Sequence, residues 1–315
     1  MLALVFPGQG SQEVGMGRDA YDASPAARAV FDAANAALGF DLARLCFEGP
    51  EDDLRRTEIQ QPAILTVSIA LLRALEERAA VAPAFVAGHS LGEYSALVAA
   101  GAIDFEDAVA LVHARGRFMQ EAVPEGRGAM AAVMGIGPEE TAEACVRAAR
   151  ETGLVVAPAN YNSPQQTVIA GDAAAVEIAC SRAKEAGAKR TIPLPVSAPF
   201  HCALMAPAAS KLAFELERVR FRDARPPVVT NVEAEPNREG DRIAGLLREQ
   251  VTAPVRFTEM VERLRALGVE RYLEVGPGSV LSGLIARIDR RARRAGISSL
   301  ADLDAAVAFV AEAGA

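Results

Sequence analysis

The sequence predicts an α/β protein whose main sheet is mostly parallel and whose chain is interrupted by a small second domain. Three observations carry this. Short apolar runs alternate with helical stretches over residues 1–123, and the order changes to strand, helix, strand, strand, helix, strand between about 128 and 197. The first alternation then returns from Pro207. The expected division is 1–125 together with 198–315 as the large domain, and 126–197 as the small one.

In chain order, Leu2–Phe6 is an apolar run that lacks a basic leader and enters a Gly-rich loop, so it reads as a first strand and not as a signal peptide. A helix over Ala63–Glu77, a strand over Ala84–Ala87 and helices from Gly92 and from Asp104 follow. The inserted block reads Ala129–Ile136 strand, Pro138–Thr152 helix, Leu154–Ala159 and Thr167–Ala170 strands, Ala173–Ala186 helix and Lys189–Pro195 strand. That βαββαβ order is ferredoxin-like. Beyond it, Val228–Val232 and Arg271–Val275 read as strands and Thr258–Leu267 as a helix, and the Ala-rich C-terminal tail is expected to fray.

Composition narrows the function classes. With 315 residues, 51% of them hydrophobic, the chain has enough apolar material for a sizeable core. Charged residues make up 23%, and no apolar run nears the ~20 residues of a bilayer span, so a membrane protein and a disordered chain are both disfavoured. Four scattered cysteines without C-x-x-C spacing imply neither a disulfide framework nor a zinc site, and point to a reducing cytoplasm. The net charge of −8, with one basic run at Arg287–Arg294, argues against nucleic-acid binding. The loop Phe6-Pro7-Gly8-Gln9-Gly10-Ser11-Gln12 lacks the Gly-Lys-Ser/Thr ending of a phosphate loop, and no cofactor or metal is expected.

Gly88-His89-Ser90-Leu91-Gly92 lies between a strand and a helix, the setting of a nucleophile elbow, and makes the large domain α/β-hydrolase-like in expectation. A serine needs a base, and the chain has only three histidines. His89 adjoins Ser90 at a sharp turn and should point elsewhere. At about 100° per residue His113 falls on the polar half of its helix with Arg117, Gln120 and Glu121, and is expected to be solvated. His201 remains. No acidic residue stands out as its orienting partner. On the same wheel Arg115 falls within the apolar half, among Ala108, Leu111 and Met119, where an unpaired guanidinium would be costly. It pairs either with an acidic side chain of the protein or with a carboxylate brought by a substrate.

These residues resemble the malonyl-CoA:acyl-carrier-protein transacylases and the related acyltransferase domains of polyketide synthases. The resemblance runs through the Phe6–Gln12 loop, Gly88–Tyr94, Arg115-Gly116-Arg117-Phe118-Met119-Gln120, Asn160–Pro164, His201-Cys202-Ala203-Leu204-Met205 and Glu274–Gly278. It implies malonyl transfer from malonyl-CoA to the phosphopantetheine thiol of acyl carrier protein through a malonyl-Ser90 intermediate, in fatty-acid synthesis. It implies His201 as base, the main-chain carbonyl of Gln250 as its orienter, the backbone amides of Gln9 and Leu91 as oxyanion hole, and Arg115, Phe200 and Met119 at the acyl group. Phe200 resembles the bulky residue of malonyl-selective relatives and leans toward the polyketide type. The alternatives are loading of polyketide carrier domains in trans and, further off, a serine esterase or thioesterase. A monomer is expected. Carrier proteins of this kind are acidic, so Arg182, Lys184, Lys189 and Arg190, or the Arg287–Arg294 run, are the candidate docking patches.

Overall fold

The computed structural model describes residues 1–196 and 198–312. Ser197, the last residue of the expected small domain, and residues 313–315 of the tail lie outside them.

Among the described residues ten strands form two sheets. They are β1 (Leu2–Phe6), β2 (Phe85–Gly88), β3 (Gly128–Met134), β4 (Val156–Ser163), β5 (Gln166–Asp172), β6 (Arg190–Pro193), β7 (Val228–Val229), β8 (Pro236–Asn237), β9 (Arg271–Val275) and β10 (Arg293–Ile297). The larger sheet has the order β10-β9-β1-β2-β7-β8 and is parallel except for the β7–β8 pair. The smaller sheet has the order β4-β5-β3-β6 and is antiparallel throughout. Helices Pro138–Thr152 and Ala173–Glu185 complete its strand–helix–strand–strand–helix–strand order.

Alternation along β1 explains the layering. Leu2, Leu4 and Phe6 face the main apolar cluster on one side, and Ala3 and Val5 face a second cluster on the other. Both faces are therefore covered, as a parallel sheet requires. In register, Phe6 lies beside Gly88 and Val5 beside Glu274, so the loops after β1, β2 and β9 converge at one edge. The smaller sheet is tied in near that edge. Asn160 of β4 bridges to Val255, with Tyr161 N–H donating to Val255 O and Val255 N–H to Ala159 O, each at 2.9 Å.

Three expectations need correction. The helix expected from Ala63 begins at Thr57 and runs to Glu76, with Pro62 inside it. Pro62 has no N–H for the carbonyl of Glu58, and that carbonyl is taken instead by His113 Nδ1 at 2.7 Å. His113 is consequently half-buried against Phe40 and not solvated. The tail does not fray over its described part: Leu303–Ala311 is a helix that buries Leu303, Ala306, Phe309 and Val310.

Candidate active site

Ser90 follows β2 and precedes the helix Gly92–Ala99, with φ at +52°, a left-handed value that a non-glycine residue holds only under constraint. The flanking glycines permit the turn. A Cβ on Gly88 would lie 2.0 Å from the carbonyl group of Gly92, and one on Gly92 would lie 2.1 Å from Phe6 O. The Asn231 side chain holds both ends, its Oδ1 accepting from Ser90 N–H at 2.6 Å and its Nδ2 donating to Gly88 O at 2.7 Å.

His201 Nε2 stands 2.7 Å from Ser90 Oγ, and its Nδ1 stands 2.8 Å from the main-chain oxygen of Gln250. A carbonyl oxygen only accepts, so Nδ1 carries the proton and Nε2 turns its lone pair to the hydroxyl. No carboxylate hydrogen-bonds this ring among the described residues. Burial, reinforced by the positive charge of Arg115, pushes the imidazole down to about 3, so it is neutral at pH 7.

Arg115 is fully buried, on the apolar side of helix Phe105–Glu121, as the wheel required. Its Nη1 donates to Gln61 Oε1 at 2.7 Å, and its Nη2 donates to Gln250 Oε1 at 2.9 Å and to Ser90 Oγ at 3.1 Å. Among the described residues its Nε has no hydrogen-bond partner, and its Cζ lies 5.4 Å from the Tyr94 ring centroid. Among the described residues no carboxylate pairs with it directly. Gly116 permits this placement, because a Cβ there would lie 2.5 Å from Thr57 O on the neighbouring helix.

The other expected positions fall around this centre. Gln9 is on the loop after β1, with its Oε1 accepting from Gln61 Nε2 at 3.2 Å. Gly8 brings that loop against the elbow, since a Cβ there would lie 2.5 Å from His89 O. Leu91 is buried in the elbow. Buried Met119 lies with its Sδ 3.8 Å from Gln61 Nε2, and Phe200 is buried in the main apolar cluster. His89 turns away from Ser90 to Asn162 Oδ1 at 2.9 Å, as the turn required. Reading the sequence did not single out Gln61, Glu93 or Asn231. Glu93 Oε2 accepts from Gln250 Nε2 at 2.8 Å and from Asn231 N–H at 3.0 Å. The only sequence signal for Glu93 was its place in the Gly88–Tyr94 motif.

Comparison with known proteins places the chain in a family. The family described as acyl transferase domain matches residues 3–300, which sets the class as acyltransferase. The malonyl CoA-acyl carrier protein transacylase of Escherichia coli K12 is 54% identical over 287 residues, covering 91% of this chain and 92% of its own. A crystal structure of an acyl carrier protein S-malonyltransferase from Vibrio cholerae superimposes with a TM-score of 0.94 at 48% identity, covering 97% of this chain and 99% of its own. A malonyl-transacylase in complex with its type II polyketide synthase acyl-carrier protein gives a TM-score of 0.94 at 48% identity, with 98% and 99% covered. The chain belongs to the malonyl CoA-acyl carrier protein transacylase family.

Proposed function

We propose that this enzyme transfers malonyl from malonyl-CoA to the phosphopantetheine thiol of acyl carrier protein, in fatty-acid synthesis. The observation that carries the reading is Arg115: a fully buried guanidinium within hydrogen-bond reach of the Ser90 hydroxyl and without a carboxylate partner among the described residues. A malonyl group on Ser90 Oγ has its free carboxylate one methylene beyond the ester carbon. The acyl chain then supplies the missing anion, in the planar two-point geometry a guanidinium favours.

In the first step the Ser90 hydroxyl proton passes to His201 Nε2 as Oγ attacks the thioester carbon. The N–H groups of Gln9 and Leu91 form the oxyanion hole, supported by the adjacent N-terminus of helix Gly92–Ala99. Collapse breaks the C–S bond, and coenzyme A leaves as a thiol with the proton from His201. In the second step the carrier thiol gives its proton to His201 and attacks the malonyl ester, and Ser90 regains its proton as malonyl departs. The Gln250 carbonyl stabilises the imidazolium in both steps, which supports transfer without a triad acid. Phe200 and Met119 line the acyl pocket and limit its size.

The same reading divides the chain into an α/β-hydrolase-like domain over 1–125 and 198–315 and a ferredoxin-like domain over 126–197, supported by the elbow after β2 and the β4-β5-β3-β6 order. The enzyme acts as a monomer in the cytoplasm, where four unpaired cysteines suit a reducing environment. The relative crystallised with a polyketide carrier protein keeps the polyketide pathway as a second reading with identical chemistry.

Mass spectrometry after mixing with malonyl-CoA tests the proposal. A malonyl adduct on the Ser90 peptide that holo carrier protein discharges onto its own thiol is the expected result. Free malonate released without carrier would make the enzyme a thioesterase.

A further inference from the structure

Beneath the elbow lies a carboxyl group that neither transfer step uses. Glu93, in the first turn of helix Gly92–Ala99, is buried with Oε2 accepting two hydrogen bonds, from Gln250 Nε2 and from Asn231 N–H. Gln250 is thereby read from two sides. Its Oε1 accepts from Arg115 Nη2, while its Nε2 donates to Glu93 and, at 3.0 Å, to Ser90 O. A longer contact, 3.4 Å, runs from Nε2 to Asn231 Oδ1, so turning the carboxamide over would set an NH2 group against the guanidinium N–H and an oxygen against three oxygens, and all four bonds would be lost.

We propose that Glu93 is a positioning residue for acyl selection, holding the Gln250 carboxamide the right way round so that Arg115 stays aimed at the acyl carboxylate. The main-chain carbonyl of the same Gln250 holds His201. One residue therefore serves both the base and the carboxylate clamp, and Glu93 sets the clamp half. Burial pushes the Glu93 carboxyl up to about 7. Its Oε1 can carry a proton while Oε2 keeps both bonds, so the role depends on an acceptor at this place and not on full charge.

The inference rests on the malonyl reading above. Its test is the ratio of kcat/KM for malonyl-CoA to that for acetyl-CoA, measured by single-turnover acylation of the whole enzyme. Glu93→Leu should lower the ratio about tenfold or more, whereas Glu93→Gln, which restores an acceptor, should hold it within about threefold. Gln250→Met keeps the main-chain carbonyl and should lower the ratio as Glu93→Leu does, and the double variant should fall no further. An unchanged ratio in Glu93→Leu, a loss in Glu93→Gln as large as in Glu93→Leu, or full additivity in the double variant would each overturn the role of Glu93. If Glu93→Leu does not fold, Gln250→Met with a wild-type ratio overturns it instead. A wild-type enzyme indifferent to the acyl carboxylate would overturn the malonyl reading itself, a result the variants cannot imitate.

Discussion

At His201, burial and the Arg115 charge both disfavour the imidazolium and hold the ring at about 3. A base with a lowered pKa keeps its free lone pair at every pH above that value. Acylation should therefore show no acid limb near the ordinary histidine value of ~6.5 and should stay flat from about pH 5 to 8. Removing the positive neighbour raises the histidine, so in Arg115→Met the acid limb should move to higher pH. The pH profile of kcat/KM for acetyl-CoA measures this, and a limb that moves lower contradicts it. Ser90, His201 and Arg115 were legible in the sequence because each is conspicuous alone: a serine in a glycine-flanked turn, one of three histidines, a cation on an apolar helix face. Gln61, Asn231 and Glu93 were not. Each is an ordinary polar residue whose meaning lies in a partner far along the chain: Gln61 and Arg115 are 54 residues apart, Asn231 and Ser90 141, and Glu93 and Gln250 157.

The pair of helices Thr57–Glu76 and Phe105–Glu121 shows where local rules gave way to packing. Read alone, a proline such as Pro62 interrupts a helix, and the element was expected only from Ala63. The fold instead continues the helix through it, because His113 replaces the lost N–H at Glu58 O and Gly116 lets the two backbones touch. The same crossing sets Gln61 beside Arg115. A methyl group at Gly116 has no space, so Gly116→Ala should destabilise the fold by roughly 1–3 kcal/mol, with a lower Tm. By parting the helices it should also slow malonyl-CoA acylation more than acetyl-CoA acylation. Equal slowing of both would show that the crossing does not position Arg115. The C-terminal helix was illegible for a related reason. Its alanine-rich pattern is weak, and its order comes with the burial of Leu303, Ala306, Phe309 and Val310, Phe309 lying against the Arg271 side chain, whose Cζ is 4.7 Å from the ring.

For the molecule as a whole, the two-sheet plan was readable because both periodicities are strong: Leu2–Phe6 and Arg271–Val275 appear as strands with the expected bounds, and Pro138–Thr152 as the expected helix. What the sequence did not show is how the sheets join, since the Asn160–Val255 bridge links segments with no pattern in common. Surface charge follows from the same plan. Arg182 is engaged by Glu151 and Glu185, and Arg287 by Gln166, whereas Lys184 at the end of helix Ala173–Glu185, Lys189, and Arg190 at the start of edge strand β6 are exposed. Reversing those three charges should raise KM for an acidic carrier protein and weaken the salt dependence of transfer, leaving Ser90 acylation unchanged. An unaltered KM would place docking elsewhere. If Arg115 pairs with the carboxylate of the acyl group, rapid-quench acylation of Arg115→Ala with malonyl-CoA and acetyl-CoA reads that pairing. Malonyl-CoA acylation should fall by about a hundredfold or more, with acetyl-CoA use spared or improved. A variant that keeps the wild-type preference for malonyl over acetyl would contradict it.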